Sequence, residues 1–380
     1  MPGKHVIFLG AGASMDSGYP SARDLRLLMT SPPHLLDWLK KHFAEEANER
    51  HLADILSPFS TALELFREGA YSSVDEFGML AKGQMHKEVQ ALKRLMSFIL
   101  GLVNPRYTFN SPYFSFANSL FEKDSSELRG DVVVLTFNYD PHLEFLIARA
   151  RRCRVHAAGH QTARFASNAS ILSGFCSEQR RWNEEDGFFI GKLHGTIATD
   201  RPAVPCEKLL TFNEVFGIPP IQRWSDIGAR TLQSDCVPVV FPWELLDGDG
   251  NIRAQDDCGW DCHVPGVGSL RTVMEDVWAR ATEEVQKAHT ISFVGLSMHH
   301  YLRPGFKRLF AGKRGDVKVV VANPDIRDMD RAGFERGEFH PRCSLRRIRS
   351  ALQEIAPEML VASAPFYLSF NRFIAGEIAS

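Results

Sequence analysis

Short apolar runs recur along the chain, and most of them end in glycine or in small polar residues. An unbroken apolar run of this length is typical of a strand in a parallel sheet whose two faces are both covered. The small residues that follow each run indicate a turn at the end of the strand. The pattern predicts strands over residues 5–9, 131–136, 188–193, 237–241, 290–294 and 317–321.

Between these runs, apolar residues recur at the spacing of a helix that is apolar on one side. Ser21 stands where the first helix would begin and is suited to cap it. Strands that alternate with helices predict an α/β fold, a Rossmann-like parallel sheet with right-handed crossovers and helices on both faces. The helices are predicted over residues 22–29, 141–149, 270–287, 302–310 and 344–360.

The alternation is interrupted from about residue 31 to about residue 125, where leucine, phenylalanine and charged residues follow a helical spacing. We interpret this stretch as a helical insertion in a single domain that spans residues 1–380. Residues 246–268 are rich in Gly, Asp and Pro, which predicts a surface loop. The closing segment, about 344–380, begins with the last helix, and its tail at 366–373 is expected to pack onto the core.

Composition places the chain among globular proteins, with 44% hydrophobic and 24% charged residues. A net charge of −2 does not favour a nucleic-acid binder. We interpret the basic stretch at 342–349 as a solvated helix face. No run approaches the roughly eighteen consecutive apolar residues of a membrane span.

The first predicted strand begins so close to the N-terminus that no room is left for a signal peptide, and we therefore expect a cytoplasmic protein. The seven cysteines are odd in number and widely scattered. Reduced thiols in that compartment account for them.

The first candidate site is the loop at 10–14, Gly-Ala-Gly-Ala-Ser, which follows the first strand. Backbone N–H groups in such a turn can hold a phosphate, glycines let the backbone approach it, and Ser14 can donate a hydroxyl. A tight connection between two elements is the other interpretation. The dinucleotide-binding pattern of three spaced glycines is absent, because Met15 occupies its last position.

A polar cluster, Thr-Phe-Asn-Tyr-Asp at 136–140, follows the second strand. Open α/β sheets place their ligands at the carboxyl ends of strands, so a cluster in this place favours a binding site. Asp140 stands before Pro141 and is also suited to cap a helix. A cap does not account for Asn138.

The later strands also end in residues that can carry chemistry. His194 is followed by Gly195, which permits close approach of a ligand, but a structural histidine is the other interpretation. Gly295 and Ser297 follow one later strand and Asn323 follows the next; either could be an ordinary strand exit. Because the carboxyl ends of parallel strands meet at one edge of a sheet, we expect all five strand ends to converge there.

In their order and content, these motifs resemble those of the sirtuin family. The loop at 10–14 and the turn at 18–23, Gly-Tyr-Pro-Ser-Ala-Arg, resemble that family's glycine-alanine-glycine loop and its glycine-aliphatic-proline turn with a trailing arginine. Residues 136–140 resemble its threonine-x-asparagine-x-aspartate signature. The remaining matches are His194-Gly195 to its histidine-glycine pair, Gly295-Leu296-Ser297 to its glycine-x-serine, and Asn323 to its late ribose-binding asparagine.

The resemblance spans residues 6–324 and implies that NAD⁺ is the substrate. It implies catalytic roles for Asn138, His194 and Asp140. The residues that it implies for binding NAD⁺ are Gly10, Ala11, Gly12, Ser14, Tyr19, Pro20, Arg23, Thr136, Gly295, Ser297 and Asn323.

Two departures separate the chain from protein-deacylating sirtuins. Those proteins carry two Cys-x-x-Cys pairs for a structural zinc, whereas here only Cys258 and Cys262 are close, with His263 adjacent. Cys236 could be a fourth ligand, but the spacing matches no common zinc module, so we expect no bound metal. Residues 239–244 and the long insertion are more similar to the divergent bacterial sirtuin-like proteins.

That bacterial branch typically hydrolyses NAD⁺ in antiviral defence, assembles into oligomers and stays silent until infection is sensed. The resemblance therefore implies an NAD⁺ hydrolase that forms a homo-oligomer, docked on a second protein such as an ATPase. An NAD⁺-dependent protein deacylase and a non-catalytic NAD⁺ or ADP-ribose sensor are the alternatives. Apolar residues in the insertion could form a subunit interface or complete the monomer's core: Leu63, Leu65, Phe66, Phe98, Ile99, Leu100, Leu102 and Val103.

Cleavage of the nicotinamide–ribose bond passes through an oxocarbenium-like transition state, so the site must hold the ribose and place one water. Asn138 can donate to one atom and accept from that water, and His194 is suited to be a base of near-neutral pKa. Asp140 would hold the nicotinamide amide or position Asn138. A helix N-terminus after Ser14 would hold the pyrophosphate.

Overall fold

The computed structural model describes residues 3–42, 49–69, 71–81, 85–101, 111–123, 125, 127–140, 142–144, 146–147, 150, 188–197, 237, 239–254, 263–264, 268–313, 315–323, 344–362, 366–367 and 370–378. Within these residues, none of the helices is both long and apolar enough to cross a membrane.

A parallel sheet of seven strands forms the centre of the described structure and confirms the predicted α/β, Rossmann-like class. The strands, including a separate antiparallel pair, are β1 Lys4–Leu9, β2 Val132–Thr136, β3 Phe189–Lys192, β4 His263–Val264, β5 Gly268–Ser269, β6 Ala288–Val294, β7 Gly315–Ala322, β8 Met359–Ala362 and β9 Phe366–Tyr367. The main sheet has the order β3-β2-β1-β6-β7-β8, with β9 also pairing with β7, whereas β4 and β5 pair only with each other.

The register of the sheet brings the carboxyl ends of five strands to one edge. Leu9 lies opposite Thr136 on one side and Val294 on the other. Thr136 lies opposite Lys192, and Val294 opposite Ala322. Each of these residues is the last of its strand, so the predicted convergence of strand ends is confirmed.

Helices pack on both sides of this sheet. They are α1 Ala22–Thr30, α2 Pro32–His42, α3 Glu49–Leu56, α4 Ser60–Glu68, α5 Val74–Ala81, α6 His86–Gly101, α7 Pro112–Ser119, α8 Pro242–Leu245, α9 Leu270–Lys287, α10 Arg303–Phe310, α11 Ser344–Ile355 and α12 Phe370–Phe373. Residues 142–144 and 146–147, after β2, are also helical.

Alternate residues of β1 face two different cores, as the strand period requires. Val6 and Phe8 pack into a core with α9, α10 and α11. Ile7 and Leu9 pack into a core with α7 and α12. The tail packs back as expected, because Phe373 in α12 is fully buried.

The helices α1 to α6 form a third core beside the sheet, in which Phe66 is fully buried. Val239 and Phe241, from the segment before α8, pack into this core. A buried ion pair lies in the same place, with Lys93 Nζ of α6 2.6 Å from Glu244 Oε2 of α8. The helical stretch is thus held against α8 and the segment before it by apolar packing and by charge.

The predicted strand at 237–241 is wrong. Val239 forms only an isolated antiparallel bridge with Gly195, and the Val240 N–H donates to the His194 carbonyl oxygen at 2.9 Å. Prolines at 238 and 242 lack the N–H donor that a ladder requires, and the second of them begins α8.

The predicted closing helix at 344–360 is too long. α11 ends at Ile355, and Met359–Ala362 forms β8, parallel to β7. Proline at 357 disfavours the helical conformation of the residue before it, which ends the helix there. Within the predicted loop at 246–268, β4 begins a short antiparallel hairpin.

Candidate active site

A cavity of about 290 Å³ lies at the edge of the sheet where the strand ends converge. Side chains of α1, α5 and α6 line its other side. The volume is near the lower end of the range for small-molecule pockets. The predicted site residues that line it, all except Thr136 and Asn323, are Gly10, Ala11, Gly12, Ser14, Tyr19, Pro20, Arg23, Asn138, Asp140, His194, Gly295 and Ser297.

Packing of two loops against each other requires three of these glycines. A Cβ atom at Gly10 or Gly12 would lie 2.6 or 2.9 Å from the Gly295 carbonyl oxygen. Gly295 has a φ of +59°, in the left-handed region that favours glycine. The tight-connection interpretation therefore accounts for these glycines without a ligand.

The backbone of the first loop is largely used for the protein's own hydrogen bonds. The N–H groups that already donate to protein carbonyl oxygens are those of Gly10, Gly12, Ala13 and Ser14. The loop continues into two short 3₁₀ turns, and the first α-helix begins only at Ala22. The helix N-terminus that follows Ser14 is therefore that of α1, at Ala22, and its role in holding the pyrophosphate stays a prediction.

The first two turns of α1 bring positive charge to the cavity. The Ser21 hydroxyl accepts from the Asp24 N–H at 3.1 Å, and the Asp24 carboxylate accepts in return, which confirms the predicted cap. Arg23 and Arg26 of this helix both line the cavity. Guanidinium groups in such a place are suited to hold phosphate oxygens.

Asn138 is held rigidly at the end of β2. Its N–H donates to Thr136 Oγ1 and its Nδ2 donates to the Gly10 carbonyl oxygen, both at 3.0 Å. Thr136 is therefore not part of the cavity wall but supports the backbone of Asn138 from outside it. With Nδ2 committed to Gly10, the side-chain oxygen of Asn138 is the atom left to accept a hydrogen bond from a ligand or water.

Asp140 caps the helix that follows it, and it also contacts the first loop. Its Oδ1 accepts from the His142 N–H at 3.1 Å, and its Oδ2 accepts from Ser14 Oγ at 3.3 Å. Lys192 Nζ donates to the Asp140 carbonyl oxygen at 2.6 Å and pairs with Glu144 at 3.0 Å. Burial raises the pKa of the Asp140 carboxyl. The cap interpretation is confirmed, and the carboxylate still faces the cavity.

His194 lies just beyond β3 and is only 3% exposed. The ring of Tyr139 stacks on it at 5.3 Å, and the edge of Phe137 lies 5.1 Å away. A backbone hydrogen bond with Phe137 acts to raise the pKa of the ring, but burial outweighs it. Burial, aided by the charge of Lys93, lowers the pKa of His194 to about 3, so the ring is neutral at neutral pH. The expected near-neutral pKa is therefore wrong for this residue.

The group with a near-neutral pKa is Asp75, which sequence reasoning missed. Ser73 caps α5 through a hydrogen bond from the Glu76 N–H at 3.2 Å, and so places Asp75 in the first turn, facing the cavity. Burial raises the pKa of Asp75 to about 7. Its Oδ1 lies 3.7 Å from His194 Nδ1. A carboxylate after a helix cap was the available signal, but it lay in the insertion rather than at a strand end.

Ser297 belongs to the loop that follows β6, and Asn323 comes directly after β7. Ser297 Oγ accepts from Arg347 Nη1 at 2.9 Å. Asn323 Nδ2 donates to the Leu296 carbonyl oxygen at 3.2 Å, so Asn323 supports the cavity wall from behind. His299 also lines the cavity, with its ring stacked on Tyr301 at 5.3 Å.

The inner wall of the cavity is apolar, and most of it comes from the helical core. The residues of this wall are Leu25, Met29, Phe66, Met96 and Leu100. An apolar wall opposite polar strand ends is typical of a pocket for a ligand with a ring and a polar chain.

Searches of family models and of curated proteins find no match for this chain. The resemblance to sirtuins therefore depends on the motifs and on their common cavity. The cysteines considered as zinc ligands, Cys236, Cys258 and Cys262, lie outside the described residues. The absence of a metal stays a prediction.

Proposed function

We propose that this chain hydrolyses the nicotinamide–ribose bond of NAD⁺ and releases nicotinamide and ADP-ribose. One observation carries the proposal: residues from strand ends that are far apart in sequence, each matching a sirtuin motif, line a single cavity. Asn138 and His194, the pair to which the resemblance gives catalysis, are both buried in its wall.

The fixed amide of Asn138 suits the proposed chemistry. Its side-chain oxygen can accept a hydrogen bond from the attacking water, while the bond from Nδ2 to the Gly10 carbonyl oxygen keeps the amide from rotating away. A neutral His194 can accept the proton which that water loses. The enclosure of both groups limits the access of other nucleophiles.

The chain offers matching groups for the rest of NAD⁺. Arg23 and Arg26 are suited to the pyrophosphate, in place of the first loop's N–H groups. The apolar wall is suited to one of the two ring systems. Asp140, already bonded to Ser14, would hold the nicotinamide amide or position Asn138.

The cellular setting is also part of the proposal: a cytoplasmic enzyme of antiphage defence, assembled as a homo-oligomer and docked on a partner such as an ATPase. The apolar residues of the insertion lend this no support. Phe66, Phe98, Ile99 and Leu100 are buried in this chain's own core, and Leu63 and Leu65 are partly buried there. Leu102 and Val103 lie outside the described residues, and the oligomer depends on the resemblance alone.

Chromatography of NAD⁺ incubated with the purified chain tests the activity, with and without an acetylated peptide. We expect nicotinamide and ADP-ribose without the peptide, and no product from Asn138→Ala. Asn251→Ala is the control, because this exposed amide contacts Asp247 in a surface turn. Product that forms only with peptide would support the deacylase instead, and tight binding without turnover would support the sensor.

A further inference from the structure

The carboxyl of Asp75 has the geometry of a partner for His194, although it comes from a different part of the fold. Tyr139 Oη donates to both of its oxygens at 2.9 Å. The same tyrosine ring stacks on His194, so one residue holds both the carboxyl and the imidazole. All three side chains line the cavity.

We infer that Asp75 is the positioning residue for His194: its carboxylate accepts the Nδ1 proton of the imidazole and leaves Nε2 to accept a proton in the cavity. This inference rests on the proposed function. The present separation of 3.7 Å is longer than a hydrogen bond. Catalytic hydrogen bonds are often this long until substrate binds, and a small side-chain rotation would close the gap.

The surroundings of Asp75 favour this role over a structural ion pair. The titratable and charged groups that face it are Tyr139, His194, Tyr301, Lys93 and Glu244. The one cation among them, Lys93, donates to both oxygens of Glu244 at 2.6 and 2.7 Å and to the Val239 carbonyl oxygen at 2.8 Å. Lys93 is therefore engaged by Glu244, and within the described part of the chain the nearest basic atom to Asp75 is His194 Nδ1.

In the proposed hydrolysis, water, NAD⁺ and His194 account for every bond, proton and electron pair that changes. The water oxygen forms a bond to the ribose carbon while one water O–H bond breaks, and its proton passes to His194 Nε2. The carbon–nitrogen bond to nicotinamide breaks, and its electron pair stays on the nicotinamide nitrogen. The imidazolium that results keeps its Nδ1 proton and donates a hydrogen bond from it to the carboxylate of Asp75, which stabilises the positive charge.

The state of the His194 ring can be measured without any turnover. Long-range ¹H–¹⁵N correlation of the histidine-labelled chain, with His194→Gln to assign the signal, distinguishes the two neutral tautomers. We expect the Nδ1–H tautomer at pH 8 in the wild type and a shift toward Nε2–H in Asp75→Asn. An Nε2–H tautomer in the wild type would overturn the inference, even if Asp75→Asn did not fold. An unchanged ring signal in a folded Asp75→Asn would overturn it as well.

Kinetics give the second readout. In Asp75→Asn we expect kcat to fall by about 100-fold, the lower end of the effect of a positioned proton-transfer group, with little change in KM. The rise of wild-type kcat through about pH 7, where Asp75 ionises, should be lost in the variant. The control is Glu76→Gln, the neighbouring carboxylate, which accepts from Ser72 and does not line the cavity. A wild type that neither binds nor cleaves NAD⁺ would refute the proposed hydrolase, while the tautomer would still decide the role of Asp75.

Discussion

Replacing Asp75 by asparagine should change how the stability of the protein depends on pH. The carboxyl is 6% exposed, and burial raises its pKa from an ordinary 3.8 to about 7. Between these values the folded state binds a proton that the unfolded state has lost, so wild-type stability falls as pH rises. One pKa unit corresponds to about 1.4 kcal/mol, so the full loss is about 4 kcal/mol, of which about 3 kcal/mol falls between pH 5 and pH 8.

Other buried groups titrate in the same range with the opposite sign. The pKa of His194 and that of His142 are lowered by burial to about 3, and that of His5 to about 4. The folded state resists protonation of these rings, so their contribution to stability is lost as pH falls below about 6.5. The wild-type curve therefore mixes the two effects, and the difference between Asp75→Asn and wild type isolates the aspartate.

Urea unfolding at pH 5 and pH 8 measures that difference. The stability of Asp75→Asn relative to wild type should increase by about 3 kcal/mol between the two values. Any loss of unfolding free energy that the new amide causes equally at both pH values cancels, because only the change between pH 5 and pH 8 is compared. Glu76→Gln should show almost no slope in this window: its partial burial is outweighed by the Ser72 hydrogen bonds, which lower the Glu76 pKa from 4.5, so this carboxyl is ionised in both states above pH 5. A flat or opposite slope for Asp75→Asn would mean that Asp75 is ionised and paired, and would refute the reasoning.

Three further predictions concern the site and its loops. His194→Ala should lower NAD⁺ turnover by about 10²–10⁴ without unfolding the protein, measured by initial rates and circular dichroism; near wild-type turnover would make it a structural histidine. Arg23→Ala should raise KM for NAD⁺ and leave kcat nearly unchanged, and an unchanged KM would remove Arg23 from the binding site. Gly295→Ala should destabilise the protein by more than the 1–3 kcal/mol expected of left-handed strain alone, because its Cβ would also meet the Ala13 nitrogen. Gly312→Ala, strained but in open space, is its control in urea unfolding, and equal losses would show that the clash is relieved.

The sheet and the edge where its strands end were predictable because each signal was local. An apolar run that stops at a glycine or a polar residue marks both the strand and its end, as in β1 and β2. Parallel pairing then brings the ends together whatever the sequence distance. The strand predicted at 237–241 is wrong because the same local signal was applied there. The apolar composition favours a strand, but two prolines remove N–H donors that a strand needs.

Asp75 could not be found in this way, because its environment is made by residues distant in sequence. Tyr139 follows β2 and His194 follows β3, while Asp75 lies in α5. In the sequence it is one acidic residue in the first turn of a helix, where acidic residues are common for electrostatic reasons alone. Its burial and raised pKa exist only after the helices have packed against the sheet.

The helical stretch therefore cannot be separated from the chemistry of the strand ends. It provides the Asp75 carboxyl and the apolar wall around Phe66, and it is held in place by the Lys93–Glu244 pair. The pair is buried, so removing either partner would leave a charge unpaired in the core, which costs several kcal/mol. A loosened α6 would loosen α5, which packs against it, and would move Asp75 relative to His194. The geometry of the imidazole thus depends on an ion pair that contacts neither of its nitrogens.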